Sequence, residues 1–262
     1  LTPVNHGSKP RELEVVSYAE VVLAPHDADL AHPAFLKLFL ETEWLPGSTA
    51  LLARRRPRSP HENAPWATHV LAVAATAAGC TLVGEVGYET DRARFLGRGR
   101  TVADPAALDP GEVPPGTVGP VLDPIFSIRR RMVLAPGGMV VLAYTTAVAE
   151  SRAGAVALAD QYHGPSASAR AFELAWAQRQ AEHGQRAWSV EEAHLFQRLA
   201  AHLIFAGPAL RVRNSDAVPV GSPLESVGRM GIDVRFPMIV LRLVDASGLS
   251  TARQLVSAQA YL

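Results

Sequence analysis

The side chains of this sequence most able to do chemistry together lie in one run: Tyr88, Glu89, Thr90, Asp91, Arg92, Ala93, Arg94, Phe95, Leu96, Gly97, Arg98, Gly99, Arg100. Read as a strand, its alternation puts Arg92 and Arg94 on one face, where Asp91 or Glu89 holds a guanidinium planar through paired hydrogen bonds. Arg98 and Arg100 straddle Gly99, whose backbone freedom permits a tight bend. Such a bend presents two forked donors to a hydroxyl-rich ligand, a phosphate or a neighbouring domain. An internal salt-bridge lattice would use the same residues. The candidate substrate-binding or domain-contact set is therefore Tyr88, Glu89, Asp91, Arg92, Arg94, Arg98 and Arg100, and it holds no catalytic constellation that works by itself.

Other reactive types are scattered. Two basic runs, Arg54, Arg55, Arg56, Arg58 and Arg129, Arg130, Arg131, read as scaffold, because such runs in sheets usually blunt an edge or cover a face. Of the nine histidines, none forms an HExxH pair or lies near a metal-ligand pattern. His194 and His202 can share a helix face, but no acidic third ligand accompanies them. GxSxG, the phosphate-binding GxxxxGK[ST] and GxGxxG after a strand are all absent, so neither nucleotide chemistry nor a metal or organic cofactor is expected. Cys80 is the only cysteine; it excludes an internal disulfide, favours a reducing compartment and reads as apolar filler.

With 48% hydrophobic and 19% charged residues, the chain is expected to fold around a sizeable core. Lys plus Arg and Asp plus Glu both number 25, so no global field draws the chain to nucleic acid or an acidic membrane, and a neutral or small ligand fits better. The longest apolar stretch, Val70 to Ala78, is too short to span a bilayer. Because the chain starts at Leu1 without a Met or leader and stops in a helix without a cap, both ends read as cuts inside a longer protein.

Imperfect alternation predicts strands over Glu12–Leu23, Ala50–Ala53, Trp66–Val73, Tyr88–Leu96, Pro120–Val133 and Met139–Val148. A short helix is expected over Ala31–Phe39, and Pro136, Gly137, Gly138 read as a hairpin turn. Prolines and glycines between Val102 and Gly119 demand a long surface loop. After Glu150 the period changes to that of helices, over Ala155–Tyr162, Ser166–His183, Ser189–Phe205 and Ser250–Leu262, with Phe172, Ala175 and Trp176 on one apolar face. Ser189 and Glu192 form a capping box. Asn214–Gly228 reads as a linker and Met238–Val244 as a short strand. The expected division is a β-sandwich over 1–150, linker helices over 151–213, and a linker, short strand and helix over 214–262.

The run YETDRARFLGRGR at Tyr88–Arg100 resembles a signature of the N-terminal β-sandwich in the glycoside phosphorylases of glycoside hydrolase family 94, closest to the phosphorylase-like region of cyclic β-1,2-glucan synthases. The resemblance extends to Ser17–Pro25, Ala31–Glu43, Arg55–Pro60, Gly116–Arg130, Thr145–Arg152 and Glu191–Leu203, most of the chain in order. Two departures stand out. Val234 and Arg235 replace the glycine and aspartate of the family's GISGDLPI, and Ala74–Gly84 reads as a small-residue insertion.

The resemblance implies a mainly β fold: a large antiparallel β-sandwich (supersandwich, galactose-mutarotase-like) followed by linker α-helices, as part of a larger α+β enzyme. It further implies an (α/α)6 barrel beyond Leu262 that carries the general-acid aspartate, and early strands before Leu1. The family's reaction is inverting phosphorolysis of a β-glucosidic bond with inorganic phosphate as co-substrate. The expected partners are a β-glucan oligosaccharide, the catalytic barrel of the same polypeptide and a second copy in a homodimer. The expected location is cytoplasmic, with any inner-membrane anchor left to other segments. The competing reading is a stand-alone carbohydrate-binding or purely structural sandwich module.

Overall fold

The computed structural model describes every residue except 58, 60, 61, 63, 77, 187, 206–227 and 234–236, and gives the backbone alone for 75, 179, 180 and 182–186. Arg58, nearly all of the Asn214–Gly228 linker and the Val234, Arg235 exchange thus lie outside the described residues. The chain divides into two compact units, Leu1–Ala175 and Trp176–Leu262.

The first unit is an antiparallel sandwich. In one sheet β7 (Pro124–Leu134) is central, with β6 (Cys80–Asp91) on one side. On the other side β1 (Arg11–Val16) and β2 (Ala19–Glu20) pair with successive stretches of β7. The single strand expected over Glu12–Leu23 is therefore broken at Ser17 and Tyr18. The second sheet runs β3 (Leu40–Leu45), β4 (Ala50–Arg55), β5 (Trp66–Thr76), β8 (Val140–Ala149). Alternation explains the faces. In β3 and β4, Leu40 and Leu51 point inward, while Glu41 and Arg54 face out and pair at 2.6 Å. Phe126, Ile128, Met132 and Leu134 of β7 meet Leu51, Leu71 and Leu142 in the core between the sheets.

Pro136, Gly137 and Gly138 do not close a hairpin, because β7 and β8 belong to different sheets. They carry the chain across the sandwich, as the turn around Gly79 does between β5 and β6. The two crossings lock together. Ala135 donates its amide to the Gly79 carbonyl at 2.7 Å, and a Cβ on Gly138 would stand 2.5 Å from that oxygen. A hairpin and a crossing both need a tight glycine turn, so local sequence does not separate them. Ala74–Gly84, which reads as an insertion, is the end of β5, this crossing and the start of β6.

His69 ties the sheets from inside. Its ring nitrogens lie 2.8 Å from Thr146 Oγ1 and 2.9 Å from Ser17 Oγ, and its ring stacks with Phe126 and Tyr144. Burial pushes its pKa down to about 4, so the ring is neutral. Ser17 is where β1 and β2 part: its amide still donates to the Ile128 carbonyl at 3.0 Å, but the Ile128 amide donates to the Ser17 hydroxyl, at 2.9 Å, in place of a strand carbonyl.

Between the sandwich strands lie two short helices, α1 (His26–Ala31) and α2 (Pro33–Lys37), where one was expected. A third, α3 (Arg92–Leu96), follows β6. Then come α4 (Arg152–His163) and α5 (Ala167–Arg186), the latter running on past Ala175. Helix α4 lies on β4, β5 and β8 with buried Ala155 and Ala159 as its contact face.

In the second unit α6 (Val190–Ile204) starts at the Ser189 capping box, with Glu192 as its reciprocal partner. Trp188, Phe196 and Tyr261 form an aromatic cluster with the last helix, Leu249–Tyr261. Met238–Val244 forms no strand ladder among the described residues. Phe172 and Trp176, expected on a buried helix face, are 78% and 67% exposed.

Candidate functional site

The Tyr88–Arg100 run changes structure at Asp91. Tyr88–Asp91 completes β6, but Arg92–Leu96 is the single helical turn α3, which corrects the strand reading and the shared strand face of Arg92 and Arg94. The Asp91 carboxylate accepts the amides of Ala93 at 2.9 Å and Arg94 at 3.4 Å, an N-cap that only a helix start uses. Gly97 ends the turn at φ 80°, and a Cβ there would also strike Ala106 at 2.7 Å.

Apart from Asp91, the predicted residues part into four groups. Tyr88 points into the sandwich and stacks on Trp44 at 4.2 Å. Arg92 reaches back to β2, donating to the Tyr18 hydroxyl and to Glu20, each at 3.0 Å, and to Asp123 at 3.3 Å. The Tyr18 hydrogen bond and the two carboxylates hold it charged. Asp123 also takes Lys37 at 2.6 Å.

Glu89 is 2% exposed and accepts the amides of Thr90 at 2.8 Å and Asp91 at 2.7 Å and the Thr117 hydroxyl at 3.1 Å. Arg94, Arg98 and Arg100 lie outside. Arg100 pairs with Asp109 at 2.7 Å, the Arg94 guanidinium stands 3.8 Å from Asp91, and Arg98 has no partner among the described residues.

What Glu89 organises is the proline- and glycine-rich loop expected between Val102 and Gly119, which folds over the outer face of β6 and β7. Its returning limb is stitched by Thr117 on Glu89, by the Thr90 hydroxyl donating to the Thr117 carbonyl at 2.8 Å, and by Gly119 pairing with Thr42. Its outgoing limb is pinned by Arg129, 5% exposed, whose guanidinium donates to the Ala107 carbonyl and, at 2.6 Å, to that of Glu112. Glu14 stands 3.2 Å away and offsets the burial that lowers the Arg129 pKa.

Sequence reasoning missed Glu14, Thr90, Thr117, Ser127 and Arg129 as members of this site. The available signal was Ser127, Arg129 and Arg131 at alternate positions of β7, a polar row on one face of the strand that needs polar cover.

Beneath the loop lie two adjoining hollows of about 280 and 150 Å³ that share Glu112, Val113, Pro114 and Arg129 in their walls. The smaller is lined by Glu89, Ser127 and Arg94 against Phe95, Pro114 and Pro115. Glu89, Asp91 and Asp123 are all committed to hydrogen bonds or ion pairs, so the run offers binding groups and fixed geometry rather than a free acid and base. Among the described residues no group of three His, Cys, Asp or Glu side chains could hold a metal ion. Nor is any helix among them long and apolar enough to cross a membrane.

The model of the Glycosyl hydrolase 94 supersandwich domain matches residues 1–165, which takes in both sheets, the loop and α4. The chain belongs to glycosyl hydrolase family 94. Its antiparallel sheets are the supersandwich, and helices follow them. It is 36% identical over 260 residues to the cyclic beta-(1,2)-glucan synthase NdvB of Rhizobium meliloti (strain 1021). That alignment takes in 99% of this chain but 9% of the relative, so the chain spans a small part of the length of the curated protein it matches.

Proposed function

We propose that this family 94 chain is the supersandwich-and-helix segment of a cyclic β-1,2-glucan synthase or related β-glucan phosphorylase. In this reading it shapes a sugar site whose general acid lies elsewhere in the same polypeptide. The observation that carries the reading is the alignment of nearly the whole chain with a 9% share of a glucan synthase. It is supported by the commitment of the Glu89, Asp91 and Asp123 carboxylates to structure. The parent's reaction is then inverting transfer between a β-glucan oligosaccharide and inorganic phosphate, on the cytoplasmic side, with homodimer contacts through the sandwich.

Arg98, exposed on the loop and without a partner among the described residues, is assigned a contact with the substrate or the catalytic portion of the parent.

The test has two arms. This chain, incubated with β-1,2-gluco-oligosaccharides and phosphate, releases no glucose 1-phosphate, because a placed acid contributes about 10² to 10⁴-fold and none is offered here. Release above the blank overturns the reading. In the full-length parent, Arg98→Lys keeps the charge but removes the fork. Turnover then falls at unchanged melting temperature; unchanged turnover withdraws Arg98 from the site.

A further inference from the structure

We propose that the paired hollows beneath the loop bind a neutral saccharide of one or two hexose units, with Ser127, Glu89 and Arg94 as its polar contacts. At about 280 and 150 Å³, and sharing walls, the hollows together reach the lower part of the range of about 300 to 1,000 Å³ found for ligand pockets. Their roof is fixed before any ligand arrives, because Arg129 holds the Ala107 and Glu112 carbonyls and Thr117 holds Glu89. A preformed site spares a ligand the entropy of ordering a loop.

Three polar groups in the smaller hollow have capacity to spare. Ser127 is 3% exposed, lines the hollow, and its hydroxyl has no hydrogen-bond partner among the described residues. Its oxygen is not sealed off like the buried unpartnered atoms of Arg55 or Thr68, so it opens on the hollow and can exchange a water for a ligand group that donates or accepts. Glu89 uses three of its roughly four acceptor positions. Arg94, with a 59% exposed side chain and only a 3.8 Å approach to Asp91, is free to reorient at the rim.

Charge decides the ligand class. Glu89 and Glu112 balance Arg94 and Arg129 in the smaller hollow. In the larger, Glu14, Glu85 and Glu112 outnumber Arg129 and Arg131. Neither attracts an anion, which sets phosphate aside. A ligand carrying hydroxyls on its edge and apolar C–H on its faces matches both the polar contacts and the Phe95, Pro114 and Pro115 wall. The choice of sugar rests on the proposed function, whereas the site rests on the hollows, so binding by this chain can fail while turnover by the parent stands.

The experiment titrates the 262-residue chain with glucose, with β-1,2-linked diglucose and with inorganic phosphate, followed by ligand-detected NMR and calorimetry. Saturable sugar binding is expected, weakened about tenfold by Arg94→Gln through loss of a charge-assisted hydrogen bond, at unchanged melting temperature. Ser127→Ala weakens it as well. Arg94→Gln decides the question if the Ser127 variant fails to fold. Absence of saturable binding of either sugar, affinity unchanged in Arg94→Gln, or phosphate outcompeting the sugars at the same site overturns the proposal.

Discussion

The two outer faces of the sandwich are covered by opposite means. On the second sheet, α4 packs Ala159 onto Ala50 and Val70, a contact of small apolar side chains, with Asp160 bonded to Ser48 and His163 to Thr49 at its edge. On the first, an irregular loop lies over Glu89, Ser127 and Arg129, three buried polar residues on adjacent strands. A helix arrives with its backbone groups already paired and asks only for apolar neighbours. A loop arrives with carbonyls and amides unpaired, so the sheet beneath must supply partners, and buried charge results. The same difference decides where a ligand can go. Close packing of alanines leaves no room, whereas a cover held at discrete hydrogen bonds leaves hollows between them.

The comparison breaks most sharply at Arg129. Arg129→Met removes the donor to two loop carbonyls and leaves Glu14 with Arg131 alone, for a loss of about 2 to 5 kcal/mol, most of it from the two carbonyls left without a donor. Denaturant unfolding measures it, and limited proteolysis should cut within 102–119 before the sandwich opens. A loss under about 0.5 kcal/mol, with the loop still protected, would show that the cover does not depend on buried charge.

The pH dependence tests what both faces share, since His69 sits between the sheets. Its folded pKa of about 4 lies below the unfolded value of 6.5, so between these values the unfolded chain binds the extra proton. Stability from this residue is therefore complete above about pH 6.5 and lost as pH falls to about 4, by roughly 3 kcal/mol in all. His69→Gln should flatten that part of the stability profile. A profile with the same slope in variant and parent would remove His69 as its cause.

Helix α4 gives a smaller effect of opposite origin. Ala159→Leu overpacks the contact with Ala50 and Val70 and costs about 1 to 3 kcal/mol. Protease protection of the loop should stay unchanged. Loss of that protection would mean that the two covers are coupled through the sheets.

The helix-covered face was the more legible in the sequence, and the reason is physical. Helix α4 announces itself by period, and in the second unit Ser189 with Glu192 marks the start of α6 by a local pairing that needs no tertiary context. The loop was legible as a loop from its prolines and glycines, but not where it lies, because its anchors Glu14, Thr42, Glu89 and Arg129 come from four separate strands.

At Asp91 a local signal was present and overridden. Asp91 before Arg92–Leu96 and Gly97 after it is a cap-to-cap helical turn, although the apolar Phe95 and Leu96 continue the strand pattern. Of the candidate site, Glu89 and Arg94 meet at the smaller hollow and Tyr88 borders the larger, while Arg92 faces Tyr18 and Glu20 for reasons that only strand direction and helix geometry settle.

The smallest effect separates a helix that covers the sheet by packing from one that needs its cap. Ser151 accepts the Gly154 amide at 3.1 Å at the start of α4, just where the chain leaves β8. Ser151→Ala leaves that donor to water and costs about 1 kcal/mol, typical of a lost N-cap. For a domain of this size that is a fall of roughly 2 to 4 °C in melting temperature. The Arg152–Glu43 ion pair beside it is exposed, so Glu43→Gln should leave the melting temperature where it was. If Ser151→Ala is silent, the alanine contact alone fixes the start of α4. If Glu43→Gln costs as much as the lost cap, charge holds this face too, and the contrast with the loop-covered face is one of degree.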